Sequence, residues 1–235
     1  MDETGFCSDP SRVKVVGEKG VNSTRITAGT GRSNTSVLFS AAADGSKAPP
    51  LIIFKRKNVW DSWIPEEGMD YPGTTYAAST NGWMESKIFK NYFVKTFIPQ
   101  LTEQRPILLL CDGHASHVDL EVIDAAIEAN ITIIQLPLHY SHLLQPLDLT
   151  VFRSVRLKWD ELLVKWQSEN VGKIRNKSKL AEFVGVVWNR IDKGVIQPGF
   201  EKGGIYIYCS SAVPRDKFDP QALQRFEKKI RMGST

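Results

Sequence analysis

Cysteine is scarce in this chain: Cys7, Cys111 and Cys209 are the only three among 235 residues, and no CxxC pair occurs. So few, so scattered, they fit free thiols better than a disulfide framework or a structural zinc site. Long apolar runs are absent too. Nothing approaches the roughly twenty residues that cross a bilayer, so no membrane partner is expected. The first twenty residues, MDETGFCSDPSRVKVVGEKG, lack the basic-then-apolar layout of a secretory leader, which points to a reducing compartment. Internal repeats and low-complexity stretches are missing as well. Excess charge of one sign is small, +4 from 30 basic and 26 acidic residues, which permits nucleic-acid binding without demanding it. Local basic clusters exist at FKRK (54–57) and KIRNKSK (173–179). Such runs are usually solvated faces, and Lys55, Arg56 and Lys57 are kept as candidate DNA contacts.

What is present is the composition of a soluble globular protein, 42% hydrophobic and 24% charged. One main domain is expected, with residues 1–170 as the core and 171–235 as a helical extension packed on it. Between Arg12 and Lys57 the runs VKVVG, RITAGTG, TSVLFSAAAD and APPLIIFK, punctuated by Gly, Asn, Ser and Pro, read as an antiparallel meander. NVWDSWIPEEGMDYPG (58–73) reads as an aromatic loop with its tryptophans in a small satellite core, and TTYAAS as a possible strand. Met84, Ile88, Phe89, Tyr92, Phe93 and Phe97 recur at helical spacing, with Thr80 or Asn81 as a possible cap.

PILLLCD and ITIIQLP read as fully buried strands, and the segment VDLEVIDAAIEANI between them as a helix with Leu120, Val122, Ile123 and Ile127 on its apolar face. Strand, helix, strand makes a right-handed parallel crossover, so both strands end at one edge of the sheet. Ligands bind at that carboxyl edge in open α/β sheets, and Asp112 stands on it. A long helix follows, with Phe152, Val155, Trp159, Leu162, Leu163 and Trp166 on one face, Pro146 at its start and Asp148 expected on the core-facing side of its first turn. Another helix is expected over 179–194, ending at Gly194, with a short terminal helix after 219.

All four histidines fall in two segments, as His114-x-x-His117 and His139-x-x-His142. Four imidazoles suit zinc, but no Cys pair supports them and the neighbouring carboxylates favour a harder ion. Aspartates and glutamates hold magnesium or manganese, and two such ions can activate a water or 3′-hydroxyl for in-line displacement at a phosphodiester. Three acidic groups must converge for this. Asp112 and Asp148 supply two, and Asp2 or Glu3 is the candidate third.

DETGF at the start, GW followed by a helix, LLLCDGHASH (108–117), LPLHYSHLLQPLDLTVF (136–152) and GFEKGGIYIY (199–208) resemble, in order, the catalytic domain of pogo, Tigger and jerky-type transposases. That family lies in the DDE superfamily and is Tc1/mariner-like. The resemblance implies an α/β, ribonuclease H-like mixed sheet flanked by helices, with three antiparallel strands joined to a parallel pair. It also implies Asp2, Asp112 and Asp148 as the metal-binding triad for two Mg2+ or Mn2+ ions. His114, His117 and His142 match histidine positions common in the family's motifs, where they would support the ligands. DNA as partner, a homodimer and a nuclear location follow from the same resemblance.

Two departures stand out. Leu138 replaces a proline usual in the family. The strand that the first aspartate ends in the family would precede residue 1, so the first central strand is expected to be missing, the chain truncated, and Asp2 left on a fraying end. Two functions follow: metal-dependent DNA cleavage and strand transfer, or a domesticated, non-catalytic DNA-associated or protein-interaction module.

Overall fold

The computed structural model describes residues 1–7, 35–102, 104–112, 119–137, 140–171, 173–221, 223–225 and 228. VKVVG and RITAGTG lie outside the described residues, as do His114, His117, Leu138 and His139.

Two sheets form the centre. The first has strands β1 (Asp2–Phe6), β2 (Thr35–Phe39), β3 (Leu51–Lys55) and β4 (Thr75–Ser79), in that order. β1 and β3 each run antiparallel to β2, while β4 pairs parallel to β3. The second sheet is the parallel pair β5 (Ile107–Cys111) and β6 (Ile131–Gln135), as the crossover predicts. The Met1 amine links the two sheets, donating to the Leu110 carbonyl at 2.9 Å.

Alternation along β1 to β3 splits the core in two. Phe6, Val37, Phe39, Ile52 and Phe54 face one side, where they meet helices α4 (Phe152–Glu169), α5 (Lys177–Asn189) and α6 (Lys193–Lys202). Leu38, Leu51 and Ile53 face the other, against α1 (Ser86–Tyr92), α2 (Leu120–Glu128) and the parallel pair. Strands buried on both faces favour apolar runs, as at Val37–Phe39 of β2 and Leu51–Phe54 of β3, and the buried Ser36 hydroxyl of β2 donates to the Gly82 carbonyl at 2.7 Å. A short helix, α3 (Ser141–Leu144), precedes the turn into α4.

Side-chain caps set three helix starts: Asp119 accepts from Glu121 N–H, Asn176 from Lys179 N–H and Asp192 from Val195 N–H. Neither Thr80 nor Asn81 caps α1, which starts at Ser86 after Glu85 with no side-chain cap. Its periodic Phe89, Tyr92, Phe93 and Phe97 are buried as expected, through a wide π-type turn over Phe93–Phe97. The helix expected to end at Gly194 ends at Asn189, because Asp192 caps a new helix in which Gly194 lies. Lys47 Nζ seals the end of α5, donating to the Trp188 and Ile191 carbonyls at 2.6 Å each.

Two burial expectations change. On α2 the buried residues are Val122 and Ala126, whereas Leu120 and Ile127 are 76% and 69% exposed. β5 and β6 are not fully buried, since Leu108 is 54% and Ile134 is 42% exposed. β6 is an edge, and no strand among the described residues lies along the other side of β5. Trp63 packs edge-on to Phe54 as a satellite of the core, but Trp60 is exposed.

Candidate metal centre

Three elements deliver the acidic residues. Asp2 opens β1, directly opposite Phe39 of β2, and is buried. Asp112 follows the last residue of β5, at the carboxyl edge that the crossover geometry selects. Asp148 sits in a π-type turn, Leu147–Val151, that leads into α4. Contrary to the expected core-facing position, Asp148 is exposed, because Leu147 and Val151 take the buried side of that turn.

One carboxylate oxygen each from Asp2, Glu3 and Asp112 lies within 4.8 Å of the other two. Asp2 is also fixed locally, its Oδ1 accepting the Glu3 N–H at 2.8 Å. Far from fraying, the chain start is locked: Met1 is buried, and its carbonyl accepts from Gln145 Nε2 at 3.0 Å.

Electrostatics tie Asp148 to this group. Burial pushes the Asp2 carboxyl up to about 7, and the negative charges of Asp148, Glu3 and Asp112 push the same way, against the Met1 amine. The Asp148 carboxyl is raised by loss of water and by Asp112, while Arg156 and His142 favour its charged form. Carboxylates held so close that two of them resist ionisation form a site that a divalent cation would neutralise. All donors are hard oxygens, so the set suits Mg2+ or Mn2+ and not a thiolate-loving metal. The buried Cys111 thiol, pushed up to about 11 mainly by burial, stays protonated and is no competing ligand.

Of the residues singled out from sequence, the structure thus gathers Asp2 and Asp112, couples Asp148 to both, and sets His142 near Asp148. Glu3 joins them despite strand alternation, which argues that neighbours on a strand face opposite ways. Arg156 carried no sequence signal, since it lies two turns beyond Asp148 on the exposed side of α4. Lys55, Arg56 and Lys57 lie elsewhere, exposed at the end of β3, with Arg56 N–H bonded to the Ser79 carbonyl at 2.9 Å. Beside them the Lys177 amine packs 3.3 Å from the Trp63 ring centroid. Burial, with help from the Arg56 charge, lowers its pKa to about 8.

Known proteins resemble the chain in sequence and in fold. The human pogo transposable element with KRAB domain is 28% identical over 216 residues, covering 86% of this chain and 34% of that protein. The human jerky protein homolog is 24% identical over 185 residues, 73% of this chain and 31% of that protein. The chain therefore spans about a third or less of the curated relatives it matches. Among solved structures, the Mos1 strand transfer complex superimposes with a TM-score of 0.53 at 13% identity, over 86% of this chain and 50% of that one. The fold is accordingly ribonuclease H-like, a mixed sheet between helices. The profile of the DDE superfamily endonucleases matches residues 32–200, and the chain belongs to that family.

Proposed function

We propose that the chain is the catalytic domain of a DDE-type transposase, or of an endonuclease derived from one, that cleaves and joins DNA phosphodiesters. The observation that carries this reading is the convergence of Asp2 and Asp112, with Asp148 coupled to both, where the start of β1 meets the end of β5. Asp2, Asp112 and Asp148 hold two Mg2+ or Mn2+ ions, with Glu3 beside them. When bound, such ions supply Lewis acidity for in-line displacement at phosphorus. The chain's own part is positional. β1 and β5 fix two carboxylates through backbone pairing, the turn into α4 presents the third, and Arg156 and His142 favour the charged form of that third carboxylate against burial and Asp112.

DNA is the partner in this reading. Lys55, Arg56 and Lys57 contact its phosphates, and the like-charge crowding of Lys177 and Arg56 supports an anion there. Residues 1–170 form the catalytic core and 171–235 the extension packed on it, and the protein acts in the nucleus, as a homodimer. Manganese-dependent nicking of supercoiled plasmid by this chain, and its loss in Asp112→Ala and Asp148→Ala, tests the reading. Equal cleavage by all three would refute it for these residues.

The second reading is a non-catalytic, DNA-associated or protein-interaction role. Absence of nicking by the unaltered chain, with DNA binding retained, would select it.

A further inference from the structure

Two tryptophans stand in water beside a basic run. Trp60 is 64% and Trp83 62% exposed, in the two loops that leave β3 and β4. β3 and β4 pair parallel with Lys55 opposite Ser79, so both strands deliver those loops to one end of the sheet. Lys55, Arg56 and Lys57 occupy that end and are exposed. Asp2 lies at the other end: it pairs with Phe39, the last residue of β2, whereas Ile53 of β3 pairs with Ser36 near the start of β2. At about 3.4 Å per residue, the basic run lies roughly 15 Å from the acidic cluster along the strands.

Backbone anchoring fixes the loops that carry both indoles. The Ser79 hydroxyl donates to the Trp83 carbonyl and the Ser36 hydroxyl to the Gly82 carbonyl, at 2.7 Å each. The Ser79 carbonyl accepts the Arg56 N–H at 2.9 Å, so one residue ties the basic run to the loop of Trp83. Trp60 precedes a 3₁₀ turn and accepts the Trp63 N–H at 2.9 Å. Its ring lies 6.5 Å from that of Trp63, which is backed by Phe54 at 5.3 Å. Lys177 Nζ packs on the Trp63 ring with no hydrogen-bond partner among the described residues, and adds its charge beneath the pair. Between residues 54 and 65 the sequence sets three cations against one acid, Asp61. A fixed indole offers a flat apolar face to a base, and cations beside it suit the phosphates that join bases. In a duplex those base faces are already stacked, so an unpaired strand is what fits.

We propose that this end of the sheet binds single-stranded nucleic acid, with one base stacked on Trp60, another on Trp83, and the strand's phosphates against Lys55, Arg56 and Lys57. The site rests on the reading of those three cations as phosphate contacts and is independent of the metal chemistry. Stacking accepts any base, so the site prefers unpaired to paired strands and reads little sequence. Its affinity falls with salt, as phosphate contacts require.

Fluorescence anisotropy of the full chain without metal tests it, with labelled oligothymidine of about ten nucleotides and an abasic oligomer of the same length. The abasic strand keeps the phosphates and lacks the bases, and oligothymidine binds about tenfold or more tighter. Trp60→Ala and Trp83→Ala each weaken oligothymidine binding by about fivefold or more, leave the abasic oligomer and a duplex unchanged, and Trp60→Phe and Trp83→Phe recover most of the loss. Oligouridine separates the two sources of such a strand: tighter binding of oligothymidine assigns DNA and tighter binding of oligouridine assigns RNA, each in support. Equal affinity for oligothymidine and the abasic oligomer overturns the proposal, as does unchanged oligothymidine binding in both alanine variants. If the abasic oligomer and duplex still bind, the stacking alone has failed and the phosphate reading stands; if nothing binds, both have failed.

Discussion

Asp2 keeps its proton far above the ordinary carboxylate range because it is buried beside Asp148, Glu3 and Asp112. That raises its folded pKa to about 7 from an ordinary 3.8. Between those two pH values the unfolded chain gives up the proton and the folded chain retains it. The associated stability is complete below about pH 4 and is lost as pH rises through about 7. Asp2→Asn removes the charge while keeping an acceptor for the Glu3 N–H. The metal-free variant is therefore expected to exceed the unaltered chain in stability at pH 8 by about 2 to 4 kcal/mol, and to match it at pH 4. Urea unfolding at the two pH values checks this, and added Mn2+ should narrow the gap at pH 8 by stabilising the native carboxylates. At this scale the sequence was informative where an acidic residue ended an apolar run, as at Asp112. It offered Glu3 only as an alternative to Asp2, where the structure brings both to the cluster, and it was silent on Arg156, whose approach to Asp148 depends on helix phase.

Elements explain how the third carboxylate is held. α6 packs on the turn that bears Asp148, and Gly199 makes the approach possible: a Cβ there would lie 2.4 Å from the Pro146 carbonyl oxygen and 2.8 Å from Thr150 Oγ1. Gly199→Ala must push α6 off this turn, at a cost of roughly 1 to 3 kcal/mol, seen as a lowered denaturation midpoint together with weaker Mn2+ binding. Gly185 plays the same part for α5, where a Cβ would lie 2.6 Å from Tyr71 N. Gly185→Ala should destabilise by a similar amount, about 1 to 3 kcal/mol, but leave metal affinity intact. The existence and order of β2, β3, β5, β6, α1 and α4 were legible from periodicity. Which face of α2 is buried was not, because Leu120, Ile123 and Ile127 compete with Val122 and Ala126, and only tertiary packing decides. The parallel pairing of β4 on β3 was equally hidden, since parallel partners are joined through distant loops and leave no local turn signature.

Across the molecule, the acidic edge and the basic patch of Lys55, Arg56 and Lys57 sit on different parts of the surface, an arrangement suited to a duplex long enough to touch both. Replacing those three cations with alanine should weaken binding to any DNA sequence alike. The slope of log affinity against log salt should fall by about 2 to 3, measurable by fluorescence anisotropy. The architecture was legible mainly through the motifs and the crossover rule. The buried, backbone-anchored chain start was not, because the resemblance alone suggested a loose end. Mn2+ binding, followed by electron paramagnetic resonance at pH 7.5, tests the central claim that β1, β5 and the turn into α4 build one metal site. Asp2→Asn, Asp112→Asn and Asp148→Asn should each lower affinity by about tenfold or more relative to the unaltered chain. Unchanged Mn2+ affinity in Asp112→Asn would contradict the account.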